Sequence, residues 1–540
     1  MKKHLTSFLI LVSVVAFAQE DAWVYFNSKP NAASFLANPI NMLSQKAIDR
    51  RTNQQIIIDF TDVPVHINFI TQVKSATGIT VLAKSKWFNA LHIRGTQANI
   101  NALLNLSFVS TIKFANTALN NPGKPYINKK EVIVNKNLDV QITFLYGNSS
   151  NQIQMLNGHL LHQNNFTGTG LTIAVMDNGF PGVNTTLPFK RLRDNNLIIG
   201  GYDFVNRDTN FYDGGTHGTM VLSTIGGYIE NGLVGTAPDA KYYLFKTEAT
   251  AYENPLEESL WVEAAEHADS LGVDIITTSL GYSTFDNPNY NYTYASLNGV
   301  TTYSSKGADV AFSKGIFIVT SAGNSGGSSW LYITTPADAI NTLTVGAVDA
   351  TNNYASFSSI GPTPDNRVKP DVVAQGVSAV IATSSGSLAT ANGTSFSCPI
   401  TAGLVACLWQ SLPGKTNIQL LQLIKQSAHI YNNPTAQLGY GIPNFYAAYQ
   451  NGLNLDLSEF NTPKVSLYPN PFSTTLNITL PANVLQGELK VYNLLGQLVF
   501  NTFLNNNINS IRDLELQKGT YIYKIKANNI FYSGKIIKEQ

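Results

Sequence analysis

Cysteine is nearly absent. Cys398 and Cys407 are the two in 540 residues. On one continuous helix their separation corresponds to about 13 Å, too far for a disulfide. The chain is therefore no disulfide-stapled scaffold, and both thiols are expected to be free and buried. Charge is also scarce, at 13% of residues with a net of +1. That balance carries no electrostatic footprint for nucleic acid or an anionic membrane surface. Long apolar runs are missing beyond the first residues. Residues 5–17 follow Lys2 and Lys3 and end at Ala16-Phe17-Ala18, which reads as a signal peptide over residues 1–18, too short to span a bilayer. No other stretch approaches transmembrane length, so the mature chain is expected to be exported, with no transmembrane segment.

What is present is a globular composition, 44% hydrophobic, in a chain long enough for several domains. Residues 19–118 form a first unit. Runs at 55–60, 79–84, 90–95 and 109–114 read as strands, and 65–75 and 100–106 as helices. That order, β-α-β-β-α-β, is ferredoxin-like. His66 and His92 stand alone in it and read as packing or surface residues. Residues 119–148 are rich in Asn, Lys and Pro and read as a linker with a processing region. Residues 149–457 alternate strands (171–176, 242–246, 273–279, 316–321, 342–348) with helices such as 255–271. This alternation predicts an α/β, doubly wound, mostly parallel sheet, with functional residues at the carboxyl ends of the strands. Residues 458–540 break into short alternating strands between Asn, Gly and Pro turns, a C-terminal antiparallel β-sandwich.

Four positions carry chemistry. Asp177 ends the apolar run 171–176 and precedes Asn178-Gly179. His217 stands in Gly214-Gly215-Thr216-His217-Gly218-Thr219 at a helix start. Asn324 follows the strand 316–320 in Ser321-Ala322-Gly323-Asn324. Ser395 follows Asn392-Gly393-Thr394 and opens the apolar stretch 400–412. Singly, each is as well explained by an Asx turn, a cap or a turn asparagine. Together they supply a nucleophile, a base, an orienter and an amide donor. His159 and His162 are three apart with no further ligand near in sequence, so no metal site is assigned.

These stretches resemble the subtilisin-like serine proteases, the subtilases. Val175-Met176-Asp177-Asn178-Gly179, His217-Gly218-Thr219 and Gly393-Thr394-Ser395-Phe396-Ser397-Cys398-Pro399 match the Asp, His and Ser motifs, in the Asp, His, Ser order. Gly235-Thr236-Ala237-Pro238 and Gly439-Tyr440-Gly441 also match, and Ser279-Leu280-Gly281 resembles the segment that pairs with substrate backbone. The resemblance implies catalytic roles for Asp177, His217 and Ser395, an oxyanion hole at Asn324 and substrate binding by Ser279, Leu280 and Gly281. It implies a serine endopeptidase acting on proteins or peptides, with no cofactor for the chemistry and a structural calcium that the sequence does not place. Met220 stands where many members have a second His, and Phe396-Ser397 where Met-Ala is commoner; both departures bear on specificity.

The flanks then gain meaning. The ferredoxin-like unit resembles a subtilase propeptide, implying a zymogen whose propeptide inhibits it until cleaved. Leu467-Tyr468-Pro469-Asn470-Pro471-Phe472, Val491-Tyr492-Asn493-Leu494-Leu495-Gly496-Gln497 and Lys518-Gly519-Thr520-Tyr521 resemble the type IX secretion sorting domain. That implies the outer-membrane secretion machinery as a partner and a secreted or surface-attached protein. The competing reading is a catalytically silent binding or adhesion protein on the same fold. Small residues at 279–283 and 322–326 predict a roomy, apolar-tolerant pocket for the substrate side chain and a broad specificity.

Overall fold

The computed structural model describes residues 19–120, 144–461, 465–480, 486–493, 497–506, 508–512, 514–527 and 530–539. The expected signal peptide, most of the 119–148 stretch and Leu494-Leu495-Gly496 lie outside them. The chain divides into two compact units, Met1–Gly452 and Leu453–Gln540. The boundary expected after residue 457 falls inside the helix Phe445–Asn461, which runs on past it.

The amino-terminal sheet has the order Ile79–Ser85, Ala90–Thr96, Gln19–Phe26, Val109–Phe114. Helices Ile67–Lys74 and Gln97–Ala102 cover it, and Val24, Phe26, Phe69, Leu91, Ile93 and Ile100 share one core. The ferredoxin-like order holds, with one correction. The first strand is Gln19–Phe26, and 55–60 is no strand. Gln54 beside it is drawn to Gly315 O at 2.8 Å and Asn417 N at 3.2 Å, and Asp59 to Lys314 Nζ at 3.1 Å. These anchors hold both ends of the run away from the sheet, and Ile57 is 81% exposed.

The large sheet runs Val372–Gln375, Leu343–Val348, Phe317–Ser321, Ile275–Thr278, Thr172–Asp177, Lys241–Lys246, Ile198–Asp203. All its pairings are parallel. Thr172–Asp177 is buried at every position, as expected of a strand covered on both faces. The helix Thr394–Ser411 is buried almost throughout. A Cβ on its Gly403 would lie 2.0 Å from Thr236 Oγ1, so glycine sets that close approach.

The amino-terminal sheet packs on the helix Leu256–Leu271. Trp23 donates to Ser259 Oγ at 2.8 Å and its ring stacks on Tyr303, centroids 4.9 Å apart. Ser85 Oγ and the N–H groups of Lys86 and Trp87 donate to Glu266. Burial pushes the Glu266 carboxyl up to about 7. Arg50 and Arg51 reach Asp269 with almost no exposure on either side.

The second unit has two antiparallel sheets, Ser466–Tyr468, Thr475–Thr479, Ile508–Arg512 and Leu498–Leu504, Gly487–Tyr492, Gly519–Ala527, Ile530–Lys538. Alternating Leu476, Ile478, Leu489, Val491 and Ile525 fill its core, as in a sandwich.

Candidate active site

Parallel strands end at one edge of the sheet, and loop residues at that edge share a site. Asp177 closes its strand there, fully buried. Its Oδ1 accepts the Asn178 N–H at 2.8 Å. His217 begins the helix His217–Gly226, and its Nδ1 lies 2.8 Å from Asp177 Oδ1 and 3.0 Å from Oδ2. Glycine makes this approach possible. A Cβ on Gly218 would sit 2.5 Å from Gly179 O and 2.9 Å from Asp177 Cβ. Burial pulls the His217 imidazole down, while the charge of Asp177 and its hydrogen bond more than offset that, leaving it above its ordinary value.

Ser395 is the second residue of the helix Thr394–Ser411, 8% exposed. Gly393 precedes it with φ 150°, a conformation that favours glycine. The helix's positive end faces the site. Pro399 has no N–H for the carbonyl of Ser395, four residues earlier. Ser279 Oγ donates to that carbonyl at 2.9 Å instead, and Ser395 Oγ makes a long contact of 3.4 Å to Ser279 O. Phe396 brings its ring centroid to 6.1 Å from that of His217.

Asn324 is held at its oxygen end. Its Oδ1 accepts Thr394 N at 2.9 Å and Thr394 Oγ1 at 3.0 Å, so its NH₂ is the end left to donate. The expected residues Asp177, His217, Asn324, Ser395 and Ser279 therefore gather at one edge, with Gly281 pressed against Thr334. Two positions escaped the sequence reading, Thr394 as the clamp on Asn324 and Thr334. Their role follows from tertiary register, and no motif announced it.

The two cysteines lie in the core. Both are free and buried, and burial pushes the Cys398 thiol up to about 12. His162 is fully buried between Tyr146 Oη and Thr236 O, and burial lowers it to about 4; it packs. Among the described residues, Glu248, Glu253 and Glu257 bring carboxylate oxygens within 4.8 Å of one another, close enough to hold a cation. Glu257 already accepts the N–H groups of Ala249 and Asn254, and Glu248 the Tyr282 hydroxyl. Burial first, then neighbouring carboxylates, raises Glu253 to about 7 and Glu257 to about 8. No ion is assigned to them.

Comparison with known proteins matches residues 168–442 to the Subtilase family of peptidase S8, residues 21–131 to the Peptidase S8 propeptide domain of Bacteroidota, and residues 466–539 to the Secretion system C-terminal sorting domain. Subtilisin NAT of Bacillus subtilis subsp. natto is 32% identical over 301 residues, 55% of this chain and 70% of that protein. M-protease of Shouchella clausii (strain KSM-K16) is 30% identical over 311 residues, 57% of this chain and 72% of that one. The alkaline protease of Alkalihalobacillus alcalophilus is 27% identical over 398 residues, 73% and 91% of the two chains.

Proposed function

This chain belongs to the subtilase family of serine endopeptidases, and on that footing we propose that Asp177, His217 and Ser395 hydrolyse peptide bonds through an acyl-enzyme. The observation that carries the assignment is the paired contact of His217 Nδ1 with both oxygens of buried Asp177. That contact fixes the tautomer with Nε2 as the base.

Rotation about χ1 turns Ser395 Oγ from Ser279 O toward His217 Nε2. His217 takes the hydroxyl proton as Oγ attacks the peptide carbonyl. The developing oxyanion falls between the Ser395 N–H, at the positive end of its helix, and the Asn324 NH₂. His217 then returns the proton to the leaving amine, and a water repeats the sequence on the acyl-enzyme. Asp177 stabilises the imidazolium throughout. Ser279-Leu280-Gly281 offers backbone to an extended substrate. Each step is carried by protein groups and calls for no cofactor.

The chain carries an S8 propeptide domain and a secretion sorting domain. It is a secreted protease, extracellular or attached to the cell surface, made as a zymogen. No helix among the described residues is long and apolar enough to cross a membrane. The test is digestion of casein by the purified, processed protein. Activity that vanishes in Ser395→Ala, with the fold intact by circular dichroism, is the expected result. Folded, processed protein that cleaves nothing would favour a silent binding protein.

A further inference from the structure

Two backbone edges flank Ser395. Ser279-Leu280-Gly281 lies on one side, joined to it through the Ser279 contacts. Ala322-Gly323-Asn324 lies on the other, joined through Gly323 N to Thr394 Oγ1 at 3.2 Å and through Asn324. One short segment, Thr334-Thr335, ties the two edges together. Tyr282 and Thr335 exchange N–H···O bonds of 2.8 and 3.1 Å, and Thr334 N donates to Ala322 O at 3.2 Å. The gap between the edges therefore has a floor.

Thr334 stands on that floor. Its Oγ1 is 2.1 Å from the place a Cβ on Gly281 would occupy and 3.2 Å from that of Gly323, with Cγ2 at 3.4 Å from the latter. The side chain fills the room that the two glycines leave. Thr334 is 6% exposed, and its hydroxyl is buried without a hydrogen-bond partner. What Thr334 contributes is volume.

A peptide attacked by Ser395, with its carbonyl oxygen toward Asn324, places the side chain of its acyl residue between these edges. We propose that Thr334 sets the depth of this pocket, so that the enzyme cleaves after small side chains and turns away large ones. The small residues of the two edges predict a roomy pocket, but Thr334 occupies the space from a segment that follows both. The proposal rests on the assignment of Ser395 and Asn324.

The test is kcat/KM on chromogenic peptides that differ only in the acyl residue, Ala, Leu or Phe, using the processed enzyme and three variants. Wild type is expected to favour Ala over Phe by about tenfold or more, within the 10–200-fold that a pocket's size can enforce. Thr334→Gly, and less strongly Thr334→Ala, should move the ratio toward Phe by about tenfold. Thr334→Val, equal in volume and without the hydroxyl, should keep the Ala-over-Phe ratio. Fluorophosphonate labelling of Ser395 reports that each variant is folded, and Thr334→Ala serves if Thr334→Gly is not. A labelled wild type that prefers Phe, a ratio unmoved by a labelled smaller variant, or a ratio that moves in Thr334→Val would each overturn this proposal alone. No cleavage of any peptide and no label on Ser395 in wild type would overturn the assignment beneath it as well.

Discussion

Ser279 Oγ donates at 2.9 Å to the carbonyl of Ser395, the carbonyl that Pro399 leaves without a helical partner. A buried acceptor that loses its donor costs about 1–3 kcal/mol. Here the same bond holds the first turn that presents the nucleophile. Ser279→Ala should lower the unfolding midpoint by a few degrees and lower kcat by about ten- to a hundredfold. KM should change little. Thermal unfolding and steady-state kinetics check this; unchanged kcat would mean that the turn is held by other contacts.

His217 must be neutral to act as base. Its pairing with Asp177 holds it above the ordinary histidine value of 6.5. The acid limb of kcat/KM should therefore have its midpoint above 6.5, and activity should fall as pH drops through it. Asp177→Asn removes the charge; the limb should move down and kcat should fall about 10⁴-fold. The stability contribution has the opposite sense. With a raised folded value, the pair's stabilisation is full below the unfolded value and is lost as pH rises through the folded one. A pH–rate profile of both proteins checks the shift.

How much of this was legible beforehand differs by kind of residue. Asp177, His217, Asn324 and Ser395 each end an apolar strand or open an apolar helix, and local pattern marks such places. The βαββαβ order was legible too, but its first strand was not. Gln19–Phe26 follows closely on the apolar stretch 5–17, and the apolar run 55–60 mimics a strand although side chains of Gln54 and Asp59 pin it elsewhere. The roles of Thr334 and Thr394 could not be read, although Thr394 stands inside the Ser motif. Their partners lie 53 and 70 residues away, at Gly281 and Asn324, and only the packing of loops at the sheet edge brings them together.

Arg51 links Asp62, beside it in the amino-terminal unit, to Asp269 at the end of the helix Leu256–Leu271, with all three side chains at 0% exposure. Burial alone would raise the Asp269 carboxyl, but Arg51, Lys86 and Arg50 hold it well below the usual carboxylate range. Removing one partner strands a buried charge, at about 3–5 kcal/mol. In a Ser395→Ala background, with the chain confirmed uncut by mass spectrometry, Asp269→Asn should lower the unfolding midpoint by several degrees. It should also expose the amino-terminal unit to added trypsin. Calorimetry and timed proteolysis read both effects, and no change in either would show that the buried charges do not hold the propeptide unit in place.

The proposed reaction requires Ser395 to be an activated nucleophile. The direct measurement is reaction of the processed protein with a fluorophosphonate probe, followed by peptide mapping, beside a Ser395→Ala control. One adduct per chain is expected, on Ser395, absent from the control and slowed in Asp177→Asn. Folded, processed protein that takes no adduct, or takes it on another serine, would contradict it.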